Sequence, residues 1–341
     1  MKAQGFDPGR LADYLRAIGV GEQGNLSLHA ITGGQSNPTY LLASGSFQCV
    51  LRTKPPGQLQ PSAHAIDREF KVMKALESTT VPVPKMLAYC DDANVIGRPF
   101  YLMEYIQGRG LVDQSLPNLE HSQRLAIYAE MNRVISDLHA VDYVGAGLEN
   151  FGKQGSYFSR QIARWTRQCQ ESKLPICQEM RNLMDWLPEH IPSDDETSLV
   201  HGDFRLDNLI FHPTEPKVLA VLDWELSTLG HPMADFAYHC MSWRIPAKLW
   251  RGVGGLDLNA LGIPYEHSYV KSYEKRTGRE AGQNWEFYMA YNLFRMAAIL
   301  HGISERAAQG NAASSDAAET AAVAIPLAQI GWECATRHDI S

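Results

Sequence analysis

Between residues 199 and 225 the chain sets three hard-oxygen side chains at the ends of short apolar runs. This arrangement constrains the fold more than any other part of the sequence. The first stretch reads Leu199-Val200-His201-Gly202-Asp203-Phe204-Arg205-Leu206-Asp207-Asn208-Leu209-Ile210-Phe211, and the second Val218-Leu219-Ala220-Val221-Leu222-Asp223-Trp224-Glu225. Asp203 falls on a loop after a β-type residue pair, and Asn208 follows five residues later, leading into a second short strand. A third, almost wholly apolar strand ends in Asp223. Two strands paired as a hairpin would bring Asn208 and Asp223 together, each offering a hard oxygen. Mg²⁺ is commonly held by one or two such side chains, with phosphate oxygens completing its shell. Asp203 would face them from its loop, placed to accept a proton from an incoming hydroxyl. The plainer alternative is a set of polar turn residues between strands.

The rest of the chain divides into two grammars. Residues 9–19 show an amphipathic helical pattern through Leu11, Tyr14, Leu15 and Ile18, ending at Gly19. Residues 28–32 suggest a strand, and Thr39–Ala43 with Phe47–Arg52 suggest a hairpin around Ser44-Gly45-Ser46. A polar, Pro-rich segment from Lys54 to Pro61 precedes a helix carrying Ile66, Phe70, Met73 and Leu76 on one stripe. Phe100–Ile106 is a further strand. Beyond it, helical patterns cover 119–140, 155–170, 232–243, 265–277, 284–306 and 312–337. A β-rich first third and a mainly helical remainder predict an α+β chain of two lobes, an N-lobe of 1–106 and a C-lobe of 107–341.

Composition excludes several classes. Lys and Arg number 31 against 38 Asp and Glu, a net charge of −7, which opposes broad nucleic-acid binding. Apolar residues make up 45% of the 341, too many for a disordered chain. No apolar run approaches the roughly 18–20 residues of a membrane helix. The N-terminal residues carry charges throughout, unlike a secretory signal, and the six cysteines are scattered without a CxxC pair. A cytoplasmic protein with no membrane or nucleic-acid partner is expected. Gly19-Val20-Gly21-Glu22-Gln23-Gly24 satisfies G-x-G-x-x-G, but a helix precedes it and a strand follows, the reverse of the dinucleotide-binding context.

The block from His201 to Asp223 resembles the H-x-D-x-x-x-x-N and D-F-G elements of protein-kinase-like folds. Its His-Gly-Asp and Asp-Trp-Glu forms are similar to the aminoglycoside phosphotransferase and choline kinase superfamily. The longer stretch through Leu229-Gly230-His231-Pro232-Met233-Ala234-Asp235-Phe236 resembles the branch that some relatives carry fused to an acyl-CoA dehydrogenase. The resemblance implies a two-lobed kinase-like fold, with ATP and Mg²⁺ as cofactors and a small-molecule hydroxyl as acceptor. It implies Asp203 as base, Asn208 and Asp223 as metal ligands, and His201 as the residue that holds the loop. Arg205 would stabilise transferred charge or pair with Asp207 or Asp223 as scaffold, and Asp235 would brace the catalytic loop. In the first lobe it assigns Gly34, Gln35, Ser36 and Asn37 to a phosphate-covering turn. Arg52, with Lys54 as its rival two residues on, stands where relatives have a phosphate-binding lysine. Glu69 would orient Arg52, and backbone groups of Glu104 and Ile106 would meet an adenine edge.

Acceptor specificity is less legible. Arg160, Arg164 and Arg167 recur at i, i+4 and i+7, one face of a helix, and would form a wall for a carboxylate or for coenzyme A phosphates if not simply a solvated face. The fused relatives favour a hydroxyacyl-CoA or hydroxy acid. An aminoglycoside or amino-alcohol kinase and a catalytically silent nucleotide-binding module are the alternatives. A metal-dependent hydrolase lacks any HExxH-like cluster, and a protein-hydroxyl kinase lacks the A-P-E motif.

Overall fold

A computed structural model describes residues 7–21, 26–31, 37–55, 65–308 and 322–340. The first helix, α1 (Pro8–Ala17), starts where Asp7 accepts a hydrogen bond from the Gly9 N–H at 2.9 Å and Pro8 supplies a preset φ. Strand β1 (Ser27–Ala30) then opens an antiparallel sheet with β2 (Thr39–Ser44) and β3 (Phe47–Thr53). Gly45, at φ +62°, makes the tight link between β2 and β3. Helix α2 (Ile66–Leu76), β4 (Met86–Cys90), the one-turn α3 (Ala93–Ile96) and β5 (Phe100–Glu104) complete this part, giving the strand order β1-β2-β3-β5-β4. Leu11 and Leu15, one helical turn apart, bury against Leu42, Cys49, Leu51, Phe100 and Leu102. Helix α2 packs on β4 and β5 and directs Glu69 inward.

The remainder is mainly helical. After β6 (Arg109–Gly110) come α4 (His121–His139), α5 (Tyr157–Glu171) and α6 (Gln178–Glu189). Short strands follow: β7 (Ser198–Val200), β8 (Leu209–Phe211), β9 (Val218–Val221) and β10 (Thr228–Gly230). Strands β6, β8 and β9 form one small antiparallel sheet, and β7 pairs with β10 in another. The helices α7 (Pro232–Cys240), α8 (Leu258–Leu261), α9 (Glu266–Thr277), α10 (Trp285–Ala308) and α11 (Ala324–His338) end the chain. Among the described residues no helix is long and apolar enough to cross a membrane.

The chain divides into two compact units. One comprises Met1–Gly110, Val144–Leu148 and Asn208–Ser227; the other comprises Leu111–Tyr143, Glu149–Asp207 and Thr228–Ser341. The expected α+β organisation is observed, with a sheet-rich N-terminal part and a helical C-terminal part. Local differences have local causes. The strand expected over Phe100–Ile106 ends at Glu104. The helix Gln178–Glu189 was not expected; it carries Pro188 in its last turn, where a missing N–H reads as a break. Strand β4 follows the Pro-rich run Val81-Pro82-Val83-Pro84, which masked it.

In the second unit, Arg244 ties the helices together. Its Nε lies 2.6 Å from Glu266 and its Nη2 2.7 Å from Glu286, with the side chain only 20% exposed. Glu286 also meets Arg337 of α11 at 3.2 Å. Arg244→Met leaves two mostly buried carboxylates without this cation and is expected to cost about 2–4 kcal/mol. A urea unfolding midpoint equal to that of the parent protein would contradict this.

Candidate active site

The loop after β7 is fixed through the N–H groups of His201, Gly202 and Asp203 and the Gly202 carbonyl. Gly202 has φ +81°, a left-handed conformation that suits glycine. The N–H groups of His201 and Gly202 both donate to the Asp235 carboxylate, each at 2.8 Å. The Asp203 N–H donates to His201 Nδ1 at 3.2 Å, and the Gly202 carbonyl accepts from Arg295 Nη2 at 2.9 Å. Asp235, in the first turn of α7, also meets His139 Nε2 at 3.2 Å, while His139 Nδ1 lies 2.6 Å from the Tyr273 hydroxyl. A carboxylate can only accept, so His139 donates from Nε2 and accepts from Tyr273 at Nδ1. Burial alone would raise the Asp235 carboxyl, but the hydrogen bonds from His139 and from the His201 backbone N–H hold it below the usual range. Burial keeps His139 itself neutral by lowering its pKa.

Asp203, at the end of this loop, accepts a hydrogen bond from the Tyr238 hydroxyl at Oδ1. Arg205 Nε lies 3.2 Å from the same oxygen and 3.3 Å from Asp207 Oδ1. Asp207 Oδ2 in turn meets Arg251 at 2.6 Å. Arg205 therefore bridges two carboxylates in this structure, the scaffold arrangement foreseen as one of its two roles. The partner observed beside Asp203 is Asp207. His201 is fully buried and holds the loop, as its hydrogen bonds predict.

In the other unit, the β8–β9 register aligns Leu209 with Val221, and the Leu222 N–H donates to the Asn208 carbonyl at 2.9 Å. The hairpin thus brings Asn208 and Asp223 to neighbouring positions. Asp223 adopts φ 66°, ψ 56°, a left-handed conformation that costs an ordinary residue about 1 kcal/mol and aspartate less. Arg52 Nη2 reaches Asp223 Oδ1 at 2.8 Å, while its Nε lies 2.9 Å from Glu69 Oε2. Glu69 is 1% exposed and also accepts from Asn37 Nδ2 at 2.8 Å and from the Tyr101 hydroxyl at 2.9 Å. Burial pushes the Glu69 carboxyl up, opposed by Arg52 and Tyr101. The expected Arg52–Glu69 pair is therefore present, and Asp223 joins it. Hard oxygens on Asp223, whose side chain is 35% exposed, and on Asn208 fit a small divalent cation such as Mg²⁺.

Other expected positions fare differently. Gly34, Gln35 and Ser36 lie outside the described residues, whereas Asn37 is buried against Glu69. Lys54 follows the end of β3 at Thr53, so strand alternation does not carry it onto the face of Arg52. Glu104 donates its backbone N–H to the Lys85 carbonyl at 2.9 Å, and Ile106 follows the strand. The arginine stripe on α5 is not uniform. Arg160 is bound to the Gly155 and Lys153 carbonyls, whereas Arg164, beside the Trp165 ring at 4.8 Å, and Arg167 are exposed. Tyr238, Arg295 and Tyr101 were not anticipated. Arg295 left a signal, being the only charged residue between 287 and 300.

Comparison with known proteins agrees with this geometry. A model of the phosphotransferase enzyme family matches residues 27–282, more than half of the chain. The mouse (Mus musculus) acyl-CoA dehydrogenase family member 10 is 47% identical over 331 residues, covering 96% of this chain and 31% of that protein. The chain thus spans about a third of that relative's length. A crystal structure from Ralstonia eutropha, of a protein provisionally named an aminoglycoside phosphotransferase, is 53% identical with a TM-score of 0.91, covering 97% of this chain and 99% of that one. Choline kinase from Cryptosporidium parvum shares the fold at 13% identity, with a TM-score of 0.65 over 93% of this chain and 90% of that one.

His239, next to Tyr238 on α7, gives a test of this packing. Its Nε2 lies 2.8 Å from the Tyr269 hydroxyl, and burial pushes its pKa down to about 4. The folded state then binds fewer protons than the unfolded chain, whose histidine titrates near 6.5. This contribution is complete above pH 6.5 and is lost as pH falls towards 4. Between pH 7 and pH 5 the parent protein is expected to lose about 2 kcal/mol more stability than His239→Gln. Equal losses in urea titrations at the two pH values would contradict the assignment.

Proposed function

This chain belongs to the phosphotransferase enzyme family, and we propose that it transfers the γ-phosphoryl group of ATP to a small-molecule hydroxyl. The observation that carries this reading is the fixing of Asp203 on a loop bound by Asp235, Arg295 and His201. A carboxylate so placed orients and deprotonates an acceptor hydroxyl. The acceptor oxygen forms its bond to the γ-phosphorus as the bond to the ADP oxygen breaks, and the proton passes to Asp203. Arg205, between Asp203 and Asp207, adds positive charge where negative charge develops.

Asn208 and Asp223 would hold Mg²⁺, which when bound neutralises phosphate charge. Arg52, oriented by Glu69, would meet the nucleotide phosphates under a turn of Gly34, Gln35, Ser36 and Asn37. The Glu104 carbonyl and Ile106 N–H would meet the adenine edge. In this reading residues 1–106 form the nucleotide-binding lobe, and residues 107–341 carry the catalytic loop, in a cytoplasmic protein.

For the acceptor we favour a hydroxyacyl-CoA or hydroxy acid, because the matched mouse relative is named as an acyl-CoA dehydrogenase family member. Arg164 and Arg167 are the exposed cations that would face such an anion; Arg160 is already committed to backbone carbonyls. The Ralstonia relative's name supports an aminoglycoside acceptor instead, and arginine at position 52 in place of lysine supports a silent nucleotide-binding module.

ADP release from MgATP should be stimulated by one class among hydroxy acids, hydroxyacyl-CoA thioesters, amino alcohols and aminoglycosides. Asp203→Ala is expected to lower that turnover by about 10²–10⁴-fold with MgATP affinity nearly unchanged. Parent-level turnover in Asp203→Ala would contradict the role of Asp203. MgATP binding with no stimulating acceptor would favour the silent module.

A further inference from the structure

We propose that Tyr273 is a positioning residue for the proposed transfer: its hydroxyl aims the His139 ring at Asp235, and Asp235 holds the loop that carries Asp203. This rests on the reading of Asp203 as the base. His139 ends α4 with a fully buried side chain, its Nδ1 2.6 Å from the Tyr273 hydroxyl on α9 and its Nε2 3.2 Å from Asp235 Oδ2 on α7. A half-turn of the ring about Cβ–Cγ would put carbon atoms where both nitrogens stand. A phenol donating to Nδ1 and a carboxylate accepting from Nε2 are met together by one ring orientation and one tautomer. Asp235 Oδ2 also accepts the His201 N–H, and Oδ1 the Gly202 N–H, each at 2.8 Å. Because the ring and the His201 N–H meet the same oxygen, the placement of one is tied to that of the other.

The phenol is itself held. Its ring stacks on Phe236, the neighbour of Asp235, with centroids 3.8 Å apart and 12° between the planes. Just beyond α9, Arg279 donates from Nη2 to the His139 carbonyl at 3.1 Å and from Nε to Glu196 at 2.8 Å. The end of α9 thus grips His139 by its main chain and by its ring. Asp235, Tyr273, Arg279 and Glu196 are the polar groups acting on this imidazole. Burial raises the Tyr273 pKa, so the hydroxyl keeps its hydrogen.

Tyr273→Phe removes the hydroxyl and keeps the ring on Phe236. The first readout is the His139 ring itself, followed by ¹⁵N NMR of the labelled protein without nucleotide or acceptor. The parent protein is expected to show one tautomer with its hydrogen on Nε2, and Tyr273→Phe to speed exchange of that hydrogen with solvent about tenfold. The second readout is release of ADP from MgATP with water as acceptor. Tyr273→Phe is expected to lower kcat about tenfold with KM for MgATP unchanged, and to cause no further fall when added to His139→Gln. An unchanged exchange rate, or parent-level kcat in Tyr273→Phe with activity lost in Asp203→Asn, overturns the inference and leaves the base assignment standing. An equal fall in kcat in the parent and His139→Gln backgrounds also overturns it, assigning the phenol to packing alone. Parent-level ADP release in Asp203→Asn overturns the base assignment itself.

Discussion

A single buried carboxylate, Asp235, organises the loop on which the proposed chemistry depends. It is 3% exposed, yet it accepts from two backbone N–H groups and from His139. Burying a charge without such donors would cost several kcal/mol, so the arrangement is stable only when all are present. The consequence is geometric. Gly202 takes a left-handed turn, both N–H groups converge on Asp235, and Asp203 is delivered at the loop's end. Arg295 and Tyr273 extend the same network into α10 and α9, so the helical packing of this unit and the placement of Asp203 are one problem.

The other unit is built around one guanidinium. Arg52 touches Glu69 from α2 and Asp223 from the end of β9. The planar fork explains why arginine suits this position. Its planar head lies 2.9 Å from Glu69 at Nε and donates from Nη2 to Asp223, whereas a lysine ammonium offers one compact charge on a flexible stem. Asn37 and Tyr101 then satisfy the Glu69 oxygens, so the buried acid is saturated with donors. The cross-strand register that places Arg52 opposite Tyr101 makes this convergence possible.

Much of this was legible in the sequence because it is encoded locally. Asp203, Asn208 and Asp223 lie within a short stretch whose apolar runs reveal strand ends, and the β8–β9 hairpin follows from them. The Arg52–Glu69 pair was foreseen by family resemblance, as was Asp235. What stayed hidden depends on distant contacts. Tyr238 meets Asp203 across 35 positions and Arg295 meets Gly202 across 93, and no periodicity reports such pairs. The Arg160, Arg164 and Arg167 stripe was read correctly as one helix face. Its chemistry was not uniform, since Arg160 is drawn back onto the carbonyls of the preceding turn.

Identification of the phosphorylated product tests the central claim most directly. ATP and the candidate hydroxy acids and thioesters, incubated with the protein and Mg²⁺, can be followed by ³¹P NMR. The account predicts a phosphomonoester resonance coupled to the proton on the carbon that bore the hydroxyl, growing as the γ-phosphate signal of ATP declines and absent with Asp203→Asn. Release of inorganic phosphate alone, or the same phosphomonoester at the same rate from Asp203→Asn, would contradict it.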